Sequence, residues 1–280
     1  MVDIIYSQNI YQNQENLERI INSINLSNSD IVIDIGAGNG VITKELIKHS
    51  KNVIAYELDS QYFEILKDRF KENEQLVLIN DDFLLSSLPA KEFKVFANIP
   101  FSLTSEIISK ITSPNSKLVE AYLFVQKESA ERYIGKPINT QISTILSYLF
   151  DLDIIEIFDK WDFNPIPNIE IVLLRIKRKE REEKEFLFYR DFVTYVFNQR
   201  NRNVIDTFKK LFTVNQLKYI KGYLLKNKYV KPSDIPSVYY LEIFNYFKGN
   251  GINYINRVKG YYIKHIEQHI KRERVNRTRI

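Results

Sequence analysis

The first 176 residues alternate between short β-branched runs and stretches of helical periodicity, and this alternation constrains the fold more than any other feature. The run at residues 31–35 is bounded by polar residues and a glycine cluster, as a buried strand is. Strands are predicted at residues 31–35, 52–56, 76–79, 94–97, 121–125 and 169–176, and helices at 17–26, 41–49, 60–72, 105–111 and 128–134. The alternation predicts an α/β fold in which helices cover both faces of a parallel sheet.

The pattern changes after residues 177–185, a charged run with no apolar member that we interpret as a linker. Residues 186–230 and 237–247 show helical spacing and no convincing strand, which predicts a small all-helical domain. The chain is therefore expected to comprise residues 1–178, residues 186–256 and a basic tail at 257–280.

Charge is divided unevenly along the chain, which has 40 Lys and Arg and 35 Asp and Glu in all. Residues 176–280 contain 24 of the basic and 10 of the acidic side chains, a net charge of +14, whereas residues 1–175 carry −9. A basic lobe indicates a polyanionic partner such as nucleic acid, although a generally Lys-rich surface would give the same excess. In the tail, apolar residues recur every four positions, which indicates a helix that docks or folds on RNA. They are Val258, Tyr262, Ile266 and Ile270.

Composition also excludes several classes of site. The absence of Cys rules out disulfides, thiolate zinc sites and Cys nucleophiles, and fits a reducing cytoplasm. The three His do not form a metal-ligand pattern, so no metal is expected. No secretory signal and no membrane-spanning stretch are indicated. We expect a cytoplasmic protein and a monomer.

The tetrapeptide Asn98-Ile99-Pro100-Phe101 follows a predicted strand and looks suited to hold one amino group on one flat ring. Pro100 cannot donate to a neighbouring strand, which leaves the Ile99 carbonyl free to accept from a ligand beside the Asn98 side chain. Phe101 then offers an apolar face for a planar base. Two acceptors and a stacking ring suit the exocyclic amine of an extruded adenine, whereas the alternative is an ordinary strand end with a core Phe.

A glycine-rich segment, residues 34–40, follows the first predicted strand and opens a helix. A dinucleotide-binding loop has its third Gly three residues after the second, but here Gly40 comes one residue early. This spacing favours S-adenosylmethionine over NAD. Asp34 can face a cationic amino group, and the glycines allow a close approach of the backbone. A tight turn without a ligand remains the alternative.

Acidic residues follow the next two strands. Glu57, 21 residues after Gly36, is positioned to take two ribose hydroxyls, and Asp82 beside Phe83 offers an acceptor and an apolar wall for an adenine. The four strand ends marked by Gly36, Glu57, Asp82 and Asn98 are expected to line one edge of the sheet.

Taken in order, these motifs resemble the rRNA adenine N6-methyltransferase family, which contains the Erm macrolide-resistance enzymes and the small-subunit dimethyladenosine transferases. The resemblance runs from about residue 6 to 250. It rests on residues 7–9, 34–40, 57–59, 82–83, 98–101, 125–128, 163–167, 197–200 and 208–216, with Arg132. Two positions depart from the family pattern, Ile10 in place of an aromatic residue and Ala97 in place of a frequent Gly.

The resemblance implies a Rossmann-like class I S-adenosylmethionine-dependent domain followed by a small helical domain, with rRNA as the partner. The implied cofactor contacts are Asn9, Tyr11, Asp34, Gly36, Gly38, Glu57, Leu58, Asp82, Phe83 and Asn98. The implied catalytic residues are Asn98, Ile99, Pro100 and Phe101; the target base would stack on Phe101 and on Phe163, for which a core position is the alternative. The expected RNA contacts are Lys127, Arg132, Arg200, Arg202, Lys209 and Lys210.

The resulting hypothesis is in-line methyl transfer to an adenine amine, driven mainly by positioning. Segments of the helical domain favour an Erm-type enzyme that adds one or two methyl groups to an adenine of 23S rRNA and confers macrolide, lincosamide and streptogramin B resistance. The alternative is a 16S rRNA dimethyladenosine transferase of ribosome maturation, towards which residues 126–132 lean. A binding protein that keeps the fold without turnover is a third possibility. A dehydrogenase is disfavoured by the glycine spacing.

Overall fold

The computed structural model describes residues 9–181 and 183–268. These divide into two compact units, one containing residues up to Ala130 together with Asp151–Arg178, and the other containing Glu131–Phe150 together with the residues from Lys179 onward. This division differs from the predicted ranges because residues 131–150 group with the second unit, so that the first unit is discontinuous in sequence. Ile270, His269 and the rest of the predicted tail beyond residue 268 lie outside the described residues.

The first unit is built on a seven-stranded sheet in which the strand order is β4-β3-β2-β5-β6-β9-β7. The strands are β2 (Ile31–Ile35), β3 (Asn52–Tyr56), β4 (Leu76–Ile79), β5 (Phe93–Asn98), β6 (Leu118–Gln126), β7 (Phe150–Ile157) and β9 (Ile171–Arg178). Strands β4, β3, β2, β5 and β6 run parallel, whereas β9 is antiparallel to β6. The parallel sheet that the sequence predicts therefore has an antiparallel addition at one side, and β7 at its edge was not predicted.

Three helices connect parallel strands, namely α2 (Val41–Leu46), α3 (Ser60–Arg69) and α4 (Thr104–Ile111). Helix α1 (Gln14–Ser23) precedes β2, and α5 (Lys127–Ile134) follows β6. The chain begins at the centre of the sheet with β2, proceeds outward to β4 and then returns to the other side of β2 with β5. This reversal is a topological switch point, where the carboxyl ends of parallel strands leave a crevice for a ligand. A separate two-stranded ribbon pairs β1 (Ile10–Tyr11) with β8 (Phe163–Asn164).

Within the described residues the second unit is entirely helical. It contains α6 (Gln141–Leu146), α7 (Phe186–Phe197), α8 (Val204–Phe208), α9 (Val214–Lys226), α10 (Ser237–Asn250) and α11 (Ile255–Val258), and residues 261–268 are also helical. Aromatic rings form its core: Phe192 contacts the rings of Phe208, Phe244 and Phe247, and all four side chains are fully buried. In the described part of the chain, no helix is both long enough and apolar enough to cross a bilayer.

Candidate active site

The glycine-rich turn between β2 and α2 has the left-handed backbone that its sequence requires. Gly36, Gly38 and Gly40 have φ values of +72°, +55° and +80°. A Cβ on Gly40 would lie 2.7 Å from a Leu66 side-chain carbon, so this glycine is also needed for the packing of α3. A Cβ on Gly38 would meet only the Gly36 carbonyl, at 4.0 Å. Gly38 is therefore required for the shape of the turn and not by crowding.

Asp34 is a buried carboxylate at the end of β2, with one oxygen unsatisfied. Its side chain is 1% exposed, and Oδ2 accepts a hydrogen bond of 2.6 Å from the Thr43 hydroxyl. Oδ1 is buried without a hydrogen-bond partner in the structure. Burial, together with the charge of Glu57, raises the pKa of Asp34 to about 7. A buried oxygen of this kind is costly unless a donor reaches it, so it marks a place for a cationic group of a ligand.

A small cavity lies beside this carboxylate. It is lined by Ile10, Tyr11, Asp34, Gly36, Ala37, Gly38, Asn39, Val41, Ile42 and Asn98. The structure thus brings five of the predicted cofactor contacts around one space. Thr43, which fixes the Asp34 carboxylate, was not predicted; its position in the first helical turn after the glycines is the signal that could have identified it.

Glu57 is held by backbone donors from both sides. Its Oε2 accepts from the Gly38 N–H at 2.7 Å, and its Oε1 accepts from the Asp59 N–H at 2.8 Å. A carboxylate oxygen has two acceptor sites, so each keeps one for a ligand hydroxyl. Because the two N–H groups fix its orientation, Glu57 presents those acceptors in a defined direction.

Glu57 lines a second and larger cavity of about 180 Å³, which shares Gly36 with the first. Leu58, Asp82, Phe83 and Pro100 lie in its wall, as do Tyr56, Leu103 and Ile107, which the sequence did not single out. The Asp82 Oδ1 accepts from the Leu84 N–H at 2.8 Å. Phe83 packs edge-on against Tyr56, with 5.2 Å between ring centroids. A largely apolar cleft with carboxylates in its wall suits a nucleoside.

The Asn98 side chain is oriented by the N-terminal segment. Its Nδ2 donates a hydrogen bond of 2.7 Å to the Asn9 carbonyl, which leaves Oδ1 as an acceptor on a residue that lines the small cavity. No N–H among the described residues donates to the Ile99 carbonyl, whereas the Pro100 carbonyl accepts from Leu103 at 2.9 Å. Phe101 is half-buried and starts a 3₁₀ turn. Two acceptors and a ring therefore lie within residues 98–101, at the end of β5.

Asn9 is itself tied to the distant segment after β8. Its Nδ2 donates to the Pro165 carbonyl at 2.6 Å, and the next two residues pair with β8. The ribbon rests on a cluster of four rings, those of Tyr11, Phe124, Phe158 and Phe163. Burial raises the pKa of Tyr11, whose hydroxyl accepts from Asn16.

Phe163 is only 2% exposed and meets rings of this cluster on several sides. This burial favours the core position that the sequence left open as the alternative. Stacking of Phe163 on the target base stays a prediction.

The predicted RNA contacts are spread over both units. In the first unit Lys127 is paired with Glu170 at 3.0 Å. In the second unit Arg132, Arg200, Arg202, Lys209 and Lys210 are all exposed. Arg200 and Lys210 lie together on the wall of an open cleft of about 700 Å³, whereas Lys209 forms an ion pair of 2.7 Å with Asp206.

The comparisons agree with this geometry. The sequence matches the ribosomal RNA adenine dimethylase family over residues 3–248. It is 32% identical to the ribosomal RNA small subunit methyltransferase A of Mycoplasmopsis pulmonis over 227 residues, which cover 79% of this chain and 88% of that protein. It is 29% identical to the rRNA adenine N-6-methyltransferase of Lysinibacillus sphaericus, covering 88% of this chain and 97% of that protein.

Two solved structures have the same fold. The 23S rRNA methyltransferase ErmE superposes with a TM-score of 0.77 at 20% identity, covering 86% of this chain and all of that one. A dimethyladenosine transferase from Plasmodium falciparum superposes with a TM-score of 0.63 at 26% identity, covering 87% of this chain and 92% of that one. The predicted Rossmann-like methyltransferase fold with a helical C-terminal region is confirmed. With the family match spanning most of its length, the chain belongs to the ribosomal RNA adenine dimethylases and is an rRNA (adenine-N6)-methyltransferase.

Proposed function

We propose that this protein uses S-adenosylmethionine to add one or two methyl groups to N6 of a specific adenine in 23S rRNA, in the cytoplasm, and so confers resistance to macrolides, lincosamides and streptogramin B. The observation that carries the chemistry is the orientation of Asn98, whose Nδ2 is held by the Asn9 carbonyl so that Oδ1 is left to accept.

The two adjoining cavities fit the cofactor. The unsatisfied Asp34 Oδ1 matches its cationic amino group, the acceptors of Glu57 match the ribose hydroxyls, and Asp82 with Phe83 matches the adenine. When bound, S-adenosylmethionine supplies a methyl group on a cationic sulfur. The shared lining residue Gly36 lies where the two parts of such a ligand would meet.

The residues at the end of β5 would position the target. The Asn98 Oδ1 and the Ile99 carbonyl accept the two N–H bonds of the adenine amine, which draws its nitrogen towards a pyramidal geometry and aims its lone pair at the methyl group. The half-buried Phe101 ring offsets the stacking that the base loses when it leaves the RNA. The nitrogen–carbon bond would form as the methyl–sulfur bond breaks, the sulfur would leave as a neutral thioether, and the nitrogen would lose one proton to water. Catalysis is then a matter of positioning and of fixed dipoles.

The choice of 23S rRNA rests on the helical unit. Residues 197–200 and 208–216 are similar to segments of Erm-type enzymes, and they form the end of α7 and the connection from α8 to α9. A second candidate, dimethylation of 16S rRNA, is favoured by the 32% identity to a small-subunit methyltransferase.

Methyl transfer from radiolabelled S-adenosylmethionine to separated 23S and 16S rRNA, with the modified nucleotide mapped by primer extension, tests the proposal. We expect label on 23S rRNA and a raised inhibitory concentration of erythromycin in a sensitive host that expresses the protein. Label on 16S rRNA alone would replace the proposal with the second candidate. Cofactor binding without transfer to either RNA would indicate a binding protein.

A further inference from the structure

Helix α9 lies in a segment with an unusual charge pattern. Between Asp206 and Asp234 the chain contains seven Lys and no Asp or Glu. Like charges spaced along a helix repel one another, so such a segment is less stable than one with mixed charges. Lys209 pairs with Asp206 and Lys226 lies in the last turn of α9, where a basic side chain is favourable, but most of the excess charge has no such role and indicates one outside the fold.

Helix α9 buries one apolar stripe and exposes its lysines. Leu217, Ile220 and Leu224 are buried in the second unit. The rest of the helix surface is exposed and carries Lys218 and Lys226, with Lys221 at its border and the apolar Val214 and Leu225 among them. None of these three lysines forms an ion pair with a carboxylate in the described part of the chain. The exposed face, which we call the α9 lysine face, is therefore available to an external anion.

A glycine lies at the centre of this face. Gly222 is four residues from both Lys218 and Lys226, so the three positions form one stripe along the helix. Gly is the least favourable helix residue after Pro. A Cβ at Gly222 would have no atom within 4 Å, so internal packing does not require the glycine. The bare backbone between two lysines lets another chain approach the helix closely.

Tyr219 adds an aromatic surface beside the stripe. Its side chain is 72% exposed and stacks on Tyr246, with 5.2 Å between ring centroids. Lysines interleaved with an exposed ring are typical of surfaces that bind nucleic acid. Most of the apolar side of α9 is already buried in the second unit. Val214 and Leu225 remain exposed, but two separated aliphatic side chains are far less than the continuous apolar face that an interfacial helix presents to a lipid surface.

We propose that the α9 lysine face binds the phosphate backbone of the ribosomal RNA substrate, with Lys218, Lys221 and Lys226 neutralising phosphates and Gly222 allowing the backbone to lie close to the helix. This surface is additional to the cleft of Arg200 and Lys210. The identity of the RNA rests on the proposed function, whereas the contact with RNA is tested independently of methyl transfer.

The first test measures the affinity of the protein for fluorescently labelled 23S and 16S rRNA transcripts as a function of salt. The triple variant Lys218→Gln, Lys221→Gln, Lys226→Gln should bind at least about tenfold more weakly, with the slope of log K against log salt reduced by about 2–3. The matched control is Lys51→Gln, Lys71→Gln, Lys91→Gln, the same change of charge at exposed lysines that precede strands β3, β4 and β5, opposite the site edge of the sheet. Equal effects of the two triple variants would overturn the proposal.

The second test uses the glycine, because it changes no charge. Gly222→Gln should leave the melting temperature unchanged or raise it, since the position is open and Gln favours a helix. It should nevertheless weaken RNA binding severalfold. Gly249→Gln in α10 is the matched control, as that glycine is also exposed and open. RNA affinity equal in the two glycine variants would contradict the close approach.

Methyl transfer by the unaltered protein separates the two proposals. If the unaltered protein methylates rRNA while the triple variant and Gly222→Gln bind it as their controls do, the α9 proposal fails and the proposed function stands. If no rRNA is methylated but the binding differences are as expected, the proposed function fails and the RNA surface stands.

Discussion

The two units differ in how far their charged side chains are fixed by hydrogen bonds. In the first unit the site carboxylates are fixed by neighbouring groups: Glu57 by the N–H groups of Gly38 and Asp59, and Asp34 by the Thr43 hydroxyl. In the second unit a core of aromatic rings leaves lysines such as Lys218 and Lys221 exposed on flexible stems. A reaction at a single atom of the substrate requires acceptors that are fixed in position. Binding of a polyanion requires only positive charge. Substitutions in the first unit should therefore change stability, kcat or cofactor affinity, whereas substitutions in the second unit should change the affinity for RNA and its salt dependence.

The largest effect should separate two phenylalanines within the first unit. Phe163→Ala should lower the free energy of unfolding by about 3–5 kcal/mol, because it empties the centre of a buried ring cluster. Phe101→Ala, at a half-buried position, should cost much less stability but reduce methyl transfer to rRNA. Urea unfolding and transfer assays on both variants measure this. Stability losses of equal size would show that Phe101 is also a core residue.

Asn98→Ala should come next. Removal of a fixed acceptor should lower kcat roughly 10²- to 10³-fold while the Kd for S-adenosylmethionine changes little. Single-turnover transfer and calorimetric titration of the cofactor supply the two numbers, and Asn22→Ala on the exposed side of α1 serves as a control. A parallel loss of kcat and cofactor affinity would place Asn98 in cofactor binding alone.

Asp34 should give the first unit a pH dependence. Its pKa is raised from 3.8 to about 7 in the free protein, so the folded state binds the extra proton, and stability should fall as the pH rises from about 4 to 7. A bound cation would favour the carboxylate. Cofactor affinity should therefore increase with pH, by at most about tenfold per unit, and level off above pH 7.

Calorimetric titration between about pH 5.5 and 8 measures this dependence. Asp34→Asn, which keeps the shape, should bind more weakly and without the same slope. An unchanged slope in that variant would assign the titration to another group.

The smallest effect should come from the cleft of the second unit. Arg200→Gln with Lys210→Gln should reduce the salt slope of rRNA binding by about 1–2 and leave kcat at saturating RNA unchanged. Lys209→Gln is the control, because Lys209 already pairs with Asp206. A fall in kcat would mean that this cleft also helps to position the target base.

The sequence was informative where function depends on order along the chain. Gly36, Glu57, Asp82 and Asn98 each follow a strand, and the parallel register of β2, β3, β4 and β5 requires that they meet at one edge. The sequence was uninformative where a residue is positioned by another segment that is distant along the chain. Phe163 belongs to a two-residue strand that pairs with β1, some 150 positions earlier, and its side chain is buried in the ring cluster to which Tyr11 of β1 contributes.

Two other features were missed for related reasons. Helix α6 has only six residues and is capped by Thr140 and Ser143, without the Glu or Gln that marks a capping box in sequence. Buried Asp191 accepts from the N–H groups of Gly260 and Tyr262, about 70 residues later, and so caps the helix at residues 261–268. The residues next to a helix do not indicate a cap that is supplied by the side chain of another helix.

The hydrogen bond from Asn9 to the Pro165 carbonyl also sets an order of assembly during synthesis. Every predicted cofactor contact is contained in the first 98 residues, and a nascent chain that has reached residue 130 already carries them all. It lacks strand β8 and Pro165, which hold β1 and Asn9 in place. The Asn98 side chain is therefore fixed in orientation only after the ribosome has added the segment around residue 165. A truncated product of the first unit would contain the contact residues without a complete site.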